Sequence, residues 1–69
     1  MAVARKTEVI GSSPKSWDDA VLQALKRANK TIRNLTGLEV VKLNAKVEKG
    51  KIIEYRAHLS ITFILEDTV

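Results

Sequence analysis

A chain of 69 residues with a formal charge of +4 and no cysteine has room for one domain, here taken as 1–69, and excludes disulfides and thiolate metal centres. No apolar run approaches a membrane span, and the first six residues lack the apolar stretch of a secretory signal, so a cytoplasmic protein with no membrane partner is expected. The positive charge suits an anionic partner. Three aromatic residues (Trp17, Tyr55, Phe63) are too few for a base-stacking platform, however, and nucleic acid is not an expected partner.

The first strand is predicted over Val3–Ile10, with either face able to be the buried one. Gly11, Ser12, Ser13 and Pro14 carry turn chemistry and should end it. The helical stretch runs from Ser16 to Leu35. Trp17, Ala20, Val21, Ala24, Leu25, Ala28, Ile32 and Leu35 recur at spacings of three and four and form one apolar stripe. Asp19, Gln23, Lys26, Arg27, Lys30 and Asn34 lie opposite and should be solvated. Ser13 and Ser16 compete as N-cap; Ser16 is preferred because the periodicity starts there. Asp18 and Asp19 suit the positive end of the helix dipole, and Lys26, Arg27, Lys30 and Arg33 suit its negative half. Thr36 and Gly37 should stop the helix, Gly37 by taking a left-handed conformation.

A second strand is expected over Leu38–Glu48. Its Val41, Leu43, Ala45 and Val47 should face the helix, with Leu38 and Val40 on the other side. Glu48, Lys49, Gly50 and Lys51 read as a hairpin turn in which Gly50 supplies a positive φ. The third strand, Lys51–Glu66, alternates most cleanly: Ile53, Tyr55, Ala57, Leu59, Ile61, Phe63 and Leu65 on one face, Glu54, Arg56, His58, Ser60 and Thr62 on the other.

The order is therefore β-α-β-β, an α+β fold in which a three-stranded sheet packs on one helix. A right-handed crossover makes the first two strands parallel, and the third fits between them, antiparallel to both. One helix covers little of such a sheet. Both edges are open, and Leu38, Val40, Ile52 and Ile64 put apolar groups on its second face. A small core with no covalent staple then predicts a close-packed homo-oligomer.

Catalytic chemistry finds few residues. His58, the one histidine, lies mid-strand on the polar face without a triad partner set, and reads as a surface or interface residue. Gly11-Ser12-Ser13 lacks phosphate-loop spacing. Trp17 belongs to the core stripe, and the basic residues near the helix end read as a solvated face. No enzymatic activity is expected.

Gly11-Ser12-Ser13-Pro14, then Ser16-Trp17-Asp18-Asp19-Ala20 and Arg27-Ala28-Asn29-Lys30-Thr31, with Leu38-Glu39-Val40, Glu54-Tyr55-Arg56, Phe63 and Leu65-Glu66, together resemble the dodecins over nearly the whole chain. The resemblance implies a hollow homododecamer of cubic-type symmetry that binds and stores a small molecule at subunit interfaces. The implied ligands are flavins (riboflavin, FMN or lumichrome) stacked in pairs across a two-fold interface; some members also bind coenzyme A. It assigns cofactor binding to two positions, both altered here. Gly37 stands where flavin-binding members place the stacking tryptophan, and Arg56 where they place a glutamine. Glycine offers no π-face, whereas arginine can lie over a ring and donate hydrogen bonds. The chain resembles more the branch without that tryptophan, some members of which bind calcium. Glu39, Glu54 and Glu66 are the carboxylates on which such a site would draw, and the sequence does not choose among them.

Overall fold

The computed structural model describes residues 3–65. They form β1 (Val3–Ser13), α1 (Trp17–Thr31), β2 (Leu35–Glu48) and β3 (Lys51–Leu65). The sheet order is β1-β3-β2, with β3 antiparallel to both neighbours, as the alternation of β3 and the crossover rule require. Glu66, the predicted end of β3 and one candidate carboxylate, lies outside the described residues.

The helix begins where periodicity places it. Ser16 is extended and its Oγ accepts from the Asp19 N–H at 3.0 Å. Ser13, the rival cap, is buried and serves the same corner differently. Its hydroxyl donates to Asp19 Oδ2 at 2.6 Å and accepts the Lys15 N–H at 3.0 Å. The residues Gly11–Ser13 are therefore not a turn. They extend β1 three residues beyond the predicted end and carry it under the helix N-terminus.

The far end of the helix differs from expectation. It stops at Thr31, with Ile32 extended and its N–H on the Ala28 carbonyl at 2.9 Å. The β-branched pair Thr31-Ile32 is a weak place to continue a helix. Asn34, at φ 60°, then reverses the chain in the left-handed region that asparagine tolerates. Its carbonyl accepts the Ile64 N–H at 3.0 Å, which ties the turn to the end of β3. Gly37 is consequently not the helix stop. It lies inside β2, opposite Thr62, and Leu35 also moves from the helix into that strand.

The core is narrow. Ala20 and Ala24 of α1 pack with Ala57 and Leu59 of β3, with Val9 and Val21 against them; Ala28 and Ile61 are buried as well, and Ala57, Leu59 and Ile61 are the middle of the predicted β3 stripe. Ile53 and Leu65, at its two ends, are exposed. Alanine on the helix lets it approach closely, and Gly11 does the same on β1. A Cβ at position 11 would collide with the Ala20 carbonyl oxygen and lie 2.7 Å from the Ala24 Cβ.

The helix rests on β1 and β3 rather than on β2. Val41, Leu43 and Val47, expected beneath it, are instead 54%, 49% and 58% exposed. The parity of β2 differs too. A bulge places Val40 opposite Leu59 and Lys42 opposite His58, leaving Val41 unpaired. The extra residue returns Leu38 and Val40 to the same face as Leu43 and Ala45, so these two are not on the outer side. The β2–β3 hairpin closes through Lys49 and Gly50 at φ 51° and 75°, the two positive values a two-residue turn of this kind needs.

Candidate functional site

Register decides which side chains share the face turned away from the helix. On β3 these are Arg56, His58, Ser60 and Thr62. Across from them stand Ser12, Ile10, Glu8 and Lys6 on β1, and Asn44, Lys42, Glu39 and Gly37 on β2. Both residues assigned to ligand binding, Gly37 and Arg56, therefore lie on this outer face. They are not neighbours. Gly37 pairs with Thr62 and Arg56 with Asn44, and the six-residue step along β3 from Arg56 to Thr62 spans roughly 20 Å. One protomer does not bring the two together.

Arg56 is held locally. Its Nη2 donates to Glu54 Oε2 at 3.2 Å, two residues back on the same face. That hydrogen bond is the main reason the Glu54 carboxyl sits below the usual glutamate range. Next along the strand, Asn44 Nδ2 lies 3.1 Å from His58 Nε2. The amide donates there when His58 carries its proton on Nδ1. Lys6 and Glu39 approach to 4.0 Å across Ser60 and Thr62, both well exposed. The pairing of Asn44 with His58 was missed in the sequence because it joins two strands; the period-two spacing of Glu54, Arg56 and His58 did signal their common face.

Gly37 meets a second environment through its backbone. A groove of about 660 Å³ runs between the helix flank and the start of β2, lined by Leu22, Leu25, Lys26, Leu35, Gly37 and Leu38. A Cβ added at Gly37 would find only the Thr62 Cβ, at an ordinary 3.7 Å, so the glycine is required neither by crowding nor by backbone angle. A second, more polar groove of about 560 Å³ lies beside β1 and takes in Ser12, Gln23, Lys26, Arg27 and Lys30.

The fit to a stacked flat ring can be tested on the aromatic side chains. Trp17 is engaged inside the protomer: its Nε1 donates to the Asn44 carbonyl at 2.9 Å, and its ring meets Tyr55 edge-on with centroids 4.8 Å apart. Neither ring lies at Gly37. Neither Trp17 nor Tyr55 therefore offers a plane for a ring stacked at position 37. For a cation, no three His, Cys, Asp or Glu side chains among the described residues cluster closely enough to hold a metal ion. No helix among them is long and apolar enough to cross a membrane.

Known proteins share this arrangement. The dodecin of Thermus thermophilus is 35% identical over 66 residues, covering 96% of each chain. A crystal structure of an arginine-to-alanine variant of it superposes with a TM-score of 0.93, covering 99% of this chain and all of that one. The Streptomyces coelicolor dodecin is 36% identical with a TM-score of 0.92, covering 97% of this chain and 96% of its own. The calcium dodecin of Mycobacterium tuberculosis is 30% identical over 63 residues, 91% of this chain and 89% of its own. Its crystal structure, described as calcium-chelating with a novel calcium-binding site, gives a TM-score of 0.81 and covers 97% of this chain and 96% of its own. The dodecin family model matches residues 3–66, nearly the whole chain, and with the β-α-β-β order and the β1-β3-β2 sheet it establishes that this chain belongs to the dodecin family.

Proposed function

We propose that the chain is a non-enzymatic, cytoplasmic homododecamer that binds and stores a flat, anionic small molecule of flavin type at its subunit interfaces. Its surface is the observation that carries this reading. The protomer exposes 5384 Å², against about 4,300 Å² for a compact monomer of 7.7 kDa. The surplus, roughly 1,000 Å², is what one partner contributes to a stable interface. Its extents of 57 × 19 × 12 Å describe a plate with little interior, and the uncovered side chains include Val40, Val41, Leu43, Val47 and Ile52. Gly37 leaves space where a ring would lie, and Arg56 supplies donors for ligand carbonyls or phosphates. Their separation within one protomer favours a pocket shared between copies. Titrating riboflavin or FMN with the protein tests the ligand: fluorescence quenching is expected, and its absence at tens of micromolar protein rejects the flavin reading.

Calcium binding is the second reading, favoured by the 30% identity to the calcium dodecin. It stands second because identity and TM-score are both higher to the Thermus protein. Glu39 or Glu54, one from each subunit around a symmetry axis, would serve as ligands. Calorimetric titration with calcium that produces no heat removes this reading. A flat mobility-shift assay with nucleic acid at low salt is expected, because the basic residues are read as a solvated helix face.

A further inference from the structure

β1 is an edge strand, and the helix flank beside it carries uncompensated charge. Gln23, Lys26, Arg27 and Lys30 recur at helical spacing, are all exposed, and line the polar groove next to β1 together with Ser12. Lys6, Lys46 and Arg56 each have a carboxylate within 4.0 Å; Lys26, Arg27 and Lys30 form no such pair among the described residues. The groove continues into a second hollow of about 380 Å³, with which it shares Ile10, Ala24 and Arg27. There the lining changes character: Val9, Ala28 and Ile32 are apolar, and Ile10 is 64% exposed at the junction. Gly11, Ala24 and Ala28 are buried and have little or no side chain with which to fill the space. One trough thus runs along β1 with a cationic end and an apolar end. Both of its parts fall within the range of small-molecule sites, about 300–1,000 Å³.

We propose that this trough binds a single-tailed anionic amphiphile, an alkyl phosphate or a fatty carboxylate. The head sits on Lys26, Arg27 and Lys30, and the tail runs over Ile10 towards Val9 and Ile32. Charge complementarity selects the head. The Arg27 guanidinium is a planar fork that matches two oxygens of either group, and the two lysines add point charges. Ser12 and Gln23 supply neutral hydrogen-bonding groups at the same end. The apolar end selects the tail, because a free inorganic anion or a nucleic-acid backbone would leave that half of the trough in water. The trough includes neither Gly37 nor Arg56, so it is separate from the site proposed for a flat ring and stands without it.

Equilibrium dialysis of the wild-type protein against octyl phosphate and octanoate, beside inorganic phosphate, acetate and 1-octanol, separates head from tail. At least one octyl anion is expected to bind saturably and at least ten-fold more tightly than its own tailless ion, since each buried methylene contributes up to about four-fold. The tighter of the two identifies the head group. Affinities no higher than those of the tailless ions overturn the proposal by reducing the trough to a basic patch. Octanol binding as tightly as either anion overturns the charged head, and no saturable binding of either anion overturns the site. The double variant Arg27→Gln, Lys30→Gln alters exposed residues only. It should keep its circular dichroism and lose at least ten-fold in affinity; unchanged affinity overturns the placement. Ile10→Ser tests the other end independently. It should bring the octyl anion towards the affinity of its tailless ion, and an unchanged preference for the tail contradicts the assignment.

Discussion

Gly11 and Gly37 are two glycines with opposite meanings. Gly11 is a packing requirement, because a methyl group there would strike the Ala20 carbonyl and crowd Ala24. Gly11→Ala should cost about 1–3 kcal/mol, read as a lowered midpoint in thermal or denaturant unfolding. Gly37 has ordinary space around its missing Cβ. Gly37→Trp should therefore fold normally and tighten flavin binding by about 1–3 kcal/mol per stacked ring, measured by fluorescence quenching; unchanged affinity would separate position 37 from the ligand. Asp19 gives a pH signature. The Ser13 hydroxyl is the main cause holding its carboxyl below the usual aspartate range. Its contribution to stability is thus present above the unfolded-state pKa and is lost as pH falls through the depressed folded value. Asp19→Asn should lower stability in the neutral region and leave the strongly acidic region nearly unaltered, so that the acid side of the stability–pH curve flattens, measured by denaturation at a series of pH values from acidic to neutral.

At the scale of elements, Trp17 ties the helix to two strands. It donates to the Asn44 carbonyl of β2 and meets Tyr55 of β3 edge-on. Trp17→Phe keeps a ring but loses the donor, and should lower stability by about 0.5–1.5 kcal/mol in the same unfolding assay. The helix stripe was readable because Ala20, Ala24 and Ala28 repeat at its period, and β3 because Ala57, Leu59 and Ile61 alternate. The end of the helix was not, because Asn34 takes the left-handed position that glycine's freedom assigns to Gly37. Nor was the parity of β2: Leu38 and Val40 looked out of phase until the bulge at Val41 put them back, and a bulge leaves no composition mark. Which face each β2 residue takes followed from pairing with β3 rather than from its own alternation.

For the whole molecule, the same narrowness that limits the core directs the function. A helix lying over β1 and β3 leaves β2 and the β2–β3 hairpin bare, and a plate 12 Å thick cannot bury them within itself. The candidate site is correspondingly dispersed: the sequence places Gly37 and Arg56 on strands, but which groups of another copy face them is not encoded in the periodicity of one chain. The account depends on copies completing one another's burial. Size-exclusion chromatography with multi-angle light scattering at micromolar concentration measures this directly. A particle of about twelve times the 7.7 kDa protomer mass is the result the account predicts, and a stable monomer under the same conditions would contradict it.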